Sequence, residues 1–207
     1  RNGMEERTHG NDSGGMLTDE RTLAQALQGA GYDTAIFGKW HLGLWHKRHL
    51  PMQRGFDHQY GYYGALIDSF THRRDASYDW HRDEQILNEP GYTSFLIADE
   101  FARRLKAQNH AKPFFYYVPF NAVHGPHGAP EEYLAKHRGN AQHAMLECMD
   151  VAIGRMLATL ESEGVLNETL VVFLNDNGGP GRINNDPYRG SKGQTYEGGV
   201  RVACALR

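Results

Sequence analysis

No apolar run in this 207-residue chain approaches the roughly 20 residues that a membrane-spanning helix needs. Neither sign of charge dominates. Lys and Arg total 22 against 25 Asp and Glu, a net charge of −3, so no basic excess argues for a nucleic-acid partner. Internal repeats and low-complexity segments are absent. Cysteine is scarce: Cys148 and Cys204 say little about redox compartment, and both are expected to be buried free thiols. The opening Arg1-Asn2-Gly3-Met4-Glu5-Glu6-Arg7 has no apolar core and does not read as a signal peptide. No Met stands at position 1, and the last residues, Val200 to Arg207, stop inside an apolar run. A chain cut at both ends is the expectation.

What is present is an ordinary globular mixture, 40% hydrophobic and 23% charged, long enough for one domain with a real core. Twelve histidines is a high count. It raises the prospect of a metal or oxyanion site, with most of the twelve expected on the surface. Asn11-Asp12-Ser13 and Asn167-Glu168-Thr169 fit the glycosylation tripeptide, which matters only in a secreted eukaryotic protein.

Periodicity organises the chain. Thr18 is the expected cap of a first helix, with Asp19 and Glu20 in its first turn and Leu23, Leu27 and Ala30 at helical spacing before Gly31. Tyr32 to Phe37 reads as a strand closed by Gly38. Residues 43–92 show no clear period and read as long loops, which in a compact domain are usually functional. A second helix is expected over Thr93–Gln108, with Ile97, Phe101 and Leu105 four apart. Pro113–Phe120 reads as a strand buried on both faces. A third helix spans Ala141–Ser162, with Met145, Met149, Ala152, Met156 and Leu160 as its core face and Gly164 ending it. Leu170–Leu174 is a further apolar strand. Helix–strand units in this order imply an α/β fold, a largely parallel sheet flanked by helices, with ligands beyond the carboxyl ends of its strands.

Chemistry-bearing residues follow each expected strand. The first is followed by Gly38-Lys39-Trp40-His41-Leu42-Gly43, the second by Asn121-Ala122-Val123-His124-Gly125-Pro126-His127, and the third by Asn175-Asp176-Asn177-Gly178-Gly179. Asp and Asn offer hard oxygen ligands to calcium or magnesium. Lys and protonated His donate to a tetrahedral oxyanion. Arg189-Gly190-Ser191-Lys192-Gly193 adds another cation in a Gly-bounded turn. Alone, each motif is commonly a surface loop or a turn. Their joint occurrence at successive strand ends points to one anion-and-metal pocket.

These segments also carry a family resemblance. Gly31 to Gly43 resembles the second sulfatase signature, and Phe173 to Gly179 the family's metal-binding strand end. Gly190 to Val202 resembles the late motif ending in Glu-Gly-Gly-x-Arg. Val123-His124-Gly125-Pro126 with Ala129 to Leu134 resembles the central His motif. The resemblance covers nearly the whole chain and implies an alkaline phosphatase/sulfatase-like fold, here incomplete. Leu50 to Asp57 and the tyrosine-rich run after it look most like the arylsulfatase B group, which removes the 4-sulfate of N-acetylgalactosamine in glycosaminoglycans. By resemblance, Lys39 binds a sulfate oxygen and His41 contacts the hydrated formylglycine. His124 and Lys192 lie near the leaving oxygen, and Asp176 and Asn177 are two ligands of Ca2+. Glu197 and Arg201 read as a structural pair holding the Lys192 loop, and Trp40 as packing beneath the site. His127, Trp45 and His46 are candidate cleft residues.

The family nucleophile, a Cys or Ser oxidised to formylglycine within Cys/Ser-x-Pro/Ala-x-Arg, has no counterpart in these 207 residues. Nor does the early Asp-Asp pair that completes the calcium site. The expectation is therefore residues 1–207 as a partial sulfatase catalytic domain, with the nucleophile segment upstream and the C-terminal subdomain downstream. The implied substrate is a sulfated carbohydrate or aryl sulfate, with no nucleic-acid or membrane partner. The implied location is secreted, periplasmic or lysosomal. The alternatives are a phosphoesterase or phosphonate hydrolase of the same superfamily, or a truncated chain that binds sulfate without turnover.

Overall fold

The computed structural model describes residues 14–181 and 185–207. Asn11-Asp12-Ser13 lies outside the described residues. The first helix, α1 (Leu23–Gly29), begins at Thr22 rather than Thr18. Thr22 closes a capping box: its hydroxyl accepts the Gln25 amide at 3.0 Å, and the Gln25 side chain accepts the Thr22 amide at 3.0 Å. Thr18 has another task. Its carbonyl, with those of Leu17 and Glu20, accepts hydrogen bonds from the buried Arg54 guanidinium. Gly31, at φ +91°, ends the helix as expected. Tyr32 N–H donates to Leu27 O and Gly31 N–H to Gln28 O, the paired bonds of a Schellman end.

The next elements are β1 (Asp33–Lys39), β2 (His58–Tyr62), the short pairs β3 (Arg73–Arg74) with β4 (Ser77–Tyr78) and β5 (His81–Arg82) with β6 (Gln85–Ile86), α2 (Thr93–Ala107), β7 (Phe114–Tyr117), α3 (Glu131–Lys136) and α4 (Ala141–Ser162). Five strands form one mixed sheet in the order β6-β5-β2-β1-β7. Both β2 and β7 run parallel to β1, whereas β5 is antiparallel to β2 and to β6. Successive side chains of β1 face opposite sides of the sheet. Ile36 packs with Ala24 of α1, Trp40 and Phe56. Phe37 packs edge-on against Phe101 of α2 and Tyr116 of β7. Helices therefore cover both faces, and α4 packs on α2. No described helix is long and apolar enough to cross a membrane.

Residues 43–92, expected as loops, supply a strand at the heart of this sheet. Every residue of β2 is buried, yet His58-Gln59-Tyr60-Gly61-Tyr62 shows no hydrophobic alternation. Partners explain its burial. His58 lies between Asp83 and Glu100, and Tyr60 donates to Glu89. The expected doubly buried strand at Pro113–Phe120 is instead the four-residue β7, half-buried at the sheet edge. Helix α4 has the expected bounds, but Cys148 rather than Met149 completes its buried face. Burial pushes the Cys148 thiol up to about 11, an inert core residue. Cys204, expected buried, is exposed.

Gly38 and Gly61 sit side by side in the β1–β2 register at φ +131° and +139°. A Cβ on Gly61 would lie 2.2 Å from Gly38 O, and one on Gly38 would lie 2.1 Å from Pro119 O. Gly61→Ala is expected to destabilise the fold by roughly 2–4 kcal/mol, read as a lowered urea midpoint. An unchanged midpoint would refute this close approach.

The chain divides into two units, Arg1–Glu163 and Gly164–Arg207. The second holds β8 (Val172–Leu174), α5 (Glu197–Val200) and β9 (Cys204–Leu206). The Leu170–Leu174 run was expected to join the parallel sheet. Instead β8 pairs antiparallel with β9, Val172 opposite Leu206 and Leu174 opposite Cys204. An apolar run specifies a strand but not its partner. Asn167 is exposed in a short 3-10 turn, and Thr169 bonds the Val165 carbonyl.

Candidate functional site

In the first unit, Lys39 and His41 stand at the end of β1, and His124 lies in the loop that follows β7. Lys39 is the last residue of β1, half-buried, and its N–H donates to Pro119 O at 2.8 Å. That bond ties the exit of β1 to the exit of β7. Trp40 N–H then donates to Tyr62 O and His41 N–H to Tyr63 O, continuing the ladder toward β2. His41 takes the left-handed conformation at φ +57°, which costs an L-residue about 1–2 kcal/mol and is held here by its neighbours. Trp40 is buried as expected. Its indole N–H donates to His49 O at 2.8 Å and its ring packs edge-on against Phe56. Gly43 makes room for the buried His49, since a Cβ there would lie 2.7 Å from His49 Cβ. Trp45 and His46 are exposed beyond this turn, and His127 is exposed on its own loop.

The His124 turn hangs from Asn121. The His124 amide donates to Asn121 O at 2.8 Å, and the exposed ring Nδ1 lies 2.8 Å from Gly125 O. A carbonyl only accepts, so Nδ1 carries the hydrogen and Nε2 is the atom left to act. Asn121 is itself buried, and both ends of its amide are engaged. Its Oδ1 accepts from Thr93 Oγ1 and its Nδ2 donates to Ser69 Oγ, both at 2.9 Å.

Sequence reasoning missed this lock, and it missed Asp79. Asp79 Oδ1 accepts the Tyr63 amide and Oδ2 the Gly64 amide, and His81 Nε2 stands 3.1 Å from Oδ1. Burial alone would raise its pKa, but these hydrogen bonds outweigh that and hold the carboxylate below its usual range. Asp79 thereby fixes the strand exit that accepts the His41 amide. A lone Asp or Asn inside a polar stretch gives no sequence signal for such long-range bonds.

The second unit ties its candidates together by backbone. Lys192 N–H donates to Gly179 O at 2.9 Å, joining the Lys192 loop to the Asp176-Asn177-Gly178-Gly179 turn. Asn185 clamps the same junction: its Oδ1 accepts the Gly179 amide, and its Nδ2 donates to the carbonyls of Gly179 and Gly190. Gly190 and Gly193, at φ +92° and +86°, make the tight turn around Lys192. Gly178 must be glycine, since a Cβ would meet Gly198 O at 1.9 Å. Glu197 and Arg201 form the expected ion pair at 3.1 Å, and Arg201 also covers the Tyr188 ring.

Asp176 is exposed and Asn177 half-buried. Asn177 Nδ2 donates to Gly178 O, which leaves its Oδ1 as an acceptor. These oxygens suit a hard cation, and they are two ligands of the roughly six to eight that calcium takes. No cluster of three His, Cys, Asp or Glu able to hold a metal occurs among the described residues. The donor chemistry of the pair suits a part of a metal site and not a whole one.

Against this geometry, a family model described as Sulfatase matches residues 2–204. The chain belongs to the sulfatase family. Arylsulfatase J of Mus musculus is a sulfatase 34% identical to it over 203 residues, covering 89% of this chain and 33% of that protein. N-acetylgalactosamine-6-sulfatase of Sus scrofa is 30% identical over 210 residues, covering 91% and 40%. Among solved sulfatase-like structures, Ps i-CgsB in complex with k-i-k-neocarrahexaose superposes with a TM-score of 0.86 at 28% identity, covering 94% of this chain and 49% of that one. The chain thus spans between a third and a half of the length of these relatives. The mixed, mostly parallel sheet flanked by helices is the sulfatase fold of the alkaline phosphatase-like superfamily.

Proposed function

We propose that residues 1–207 form the part of a sulfatase catalytic domain that grips the sulfate, in a protein that hydrolyses sulfuric esters of sulfated carbohydrate or aryl alcohol. The family match over residues 2–204 carries this reading. The strand-end placement of Lys39, His41 and the His124 turn supports it. The Lys39 ammonium holds a nonbridging sulfate oxygen, and His41 orients the nucleophile. Because His124 Nδ1 is committed to Gly125 O, Nε2 donates to the leaving oxygen only in the imidazolium form. Lys192 supplies a further cation for the charge that develops as the S–O bond breaks. Asp176 and Asn177 hold calcium, which when bound offsets negative charge on the sulfuryl group. The nucleophile, formylglycine, comes from outside these residues.

A sulfated sugar as substrate finds support in the names of the relatives, among them an N-acetylgalactosamine-6-sulfatase and a structure holding neocarrahexaose. The 4-sulfated N-acetylgalactosamine of glycosaminoglycans is our candidate within that class. A secreted, periplasmic or lysosomal location accompanies it. The test compares the complete gene product on 4-nitrophenyl sulfate and 4-nitrophenyl phosphate. The expected kcat/KM favours sulfate by at least about a hundredfold, a ratio set by differential binding of the two transition states. A preference for phosphate would make the protein a phosphoesterase of the same superfamily.

A further inference from the structure

We propose that Phe70 is the platform on which the sugar ring of the substrate stacks beside His124, a role that rests on the sulfatase activity proposed above. Phe70 is 45% exposed, an apolar ring presented to water. An exposed hydrophobic residue is by itself unremarkable in meaning. What sets Phe70 apart is how firmly its position is built and what shares its support. Its neighbour Ser69 is buried, as are Thr93 and Asn121. Thr93 N–H donates to Ser69 O at 3.0 Å, Thr93 Oγ1 to Asn121 Oδ1 and Asn121 Nδ2 to Ser69 Oγ. Three separate segments are thereby locked together by satisfied buried polar groups. Phe70 follows Ser69 by one residue, and His124 hangs from Asn121, its amide bonded to Asn121 O. The ring and the imidazole are thus carried by one rigid junction.

The ring itself is held in place. Asp68 Oδ1 accepts the amides of Phe70 and Thr71, fixing the turn. Tyr92 supports the Phe70 ring at 5.2 Å between centroids, and Tyr92 donates from its hydroxyl to Gly128 O. Gly128 lies against the ring edge: a Cβ there would come 3.4 Å from Phe70 Cε2. His124 and His127 precede Gly128 on that loop. The exposed face of such a ring is electron-rich, and the C–H face of a pyranose is its natural complement. Phe offers no hydrogen bond, so it recognises the apolar face of a sugar and leaves its hydroxyls to other groups. The sulfate pocket would fix the ester and Phe70 the ring that bears it.

The experiment uses the complete gene product with chondroitin, dermatan, carrageenan and heparan sulfate oligosaccharides as a panel, and inorganic sulfate as a competitive inhibitor of 4-nitrophenyl sulfate hydrolysis. Phe70→Ala is expected to raise KM for the preferred oligosaccharide about tenfold, at little change in kcat and with inhibition by inorganic sulfate unmoved. Phe70→Tyr is expected to keep the wild-type KM, which separates a stacking surface from a folding defect. The assignment falls if Phe70→Ala leaves KM unchanged, or weakens inorganic sulfate and oligosaccharide equally. It also falls if the wild-type protein hydrolyses 4-nitrophenyl sulfate but none of the oligosaccharides. Absence of hydrolysis on every sulfate ester overturns the sulfatase activity itself, and the role of Phe70 with it.

Discussion

Lys39→Ala in the complete gene product is expected to lower kcat/KM for 4-nitrophenyl sulfate by roughly 10²–10³-fold, about 3–4 kcal/mol of transition-state stabilisation. Backbone hydrogen bonds build the strand end around Lys39. Its N–H is held by Pro119 O, and the next two amides by Tyr62 and Tyr63. Truncation thus removes the charge while the strand end stays built. As the S–O bond breaks, charge spreads over the sulfuryl oxygens, and a fixed ammonium there acts with little reorganisation. Lys39→Arg keeps the charge but replaces a compact ammonium with a planar fork, so it is expected to recover only part of the activity. A thermal unfolding midpoint unchanged in Lys39→Ala, with the activity lost, is the expected pair of readings. Activity within twofold of wild type would remove Lys39 from the site.

Glu100→Ala is expected to destabilise the fold by about 3–5 kcal/mol, because it breaks a buried charge cluster from its centre. Glu100 sits in α2 with 3% of its side chain exposed. Arg82 grips both its oxygens at 3.0 Å, Arg103 pairs with it one turn on, and His58 of β2 lies 3.0 Å away. The cluster joins α2 to β2 and β5, so its loss loosens the sheet that carries Lys39. Burial alone would raise the Glu100 pKa, but bonds from Arg103, His58 and Arg82 hold it well below the ordinary 4.5. A depressed folded-state value gives stability that is complete above the ordinary pKa and drains away as pH falls below it. Urea unfolding from pH 7 to pH 3 should therefore show a steep acid loss in the wild type, flattened in Glu100→Ala. Parallel curves would refute the cluster's role.

The helices were legible because spacing alone specifies them. Ile97, Phe101 and Leu105 place the buried face of α2, and Met145, Ala152, Met156 and Leu160 that of α4. The motif turns after β1 and β7 were legible for a different reason, since Gly, His and Lys mark where a chain must turn and what it can bind. The strand β2 was not legible, because His58, Gln59 and Tyr60 are buried through partners as distant in sequence as Asp83, Glu89 and Glu100. The true cap of α1 was hidden for a local reason. Thr18-Asp19-Glu20 imitates a helix start, and only the reciprocal bonds of Thr22 and Gln25 decide between them. The pairing of β8 with β9 is a long-range choice that neither apolar run encodes by itself. The supports of the site, Asn121 with Ser69 and Thr93 and Asp79 with the Tyr63–Gly64 turn, are polar residues of common type. Their meaning exists only once the chain has folded.

The most direct measurement is a double-mutant cycle on Lys39 and His41 in the complete gene product, read as kcat/KM on 4-nitrophenyl sulfate. If both side chains serve one reacting centre at the end of β1, each single Ala variant loses activity and the double variant loses much less than the product of the two losses. Either single variant retaining wild-type activity, or two losses that simply multiply, would contradict a shared site.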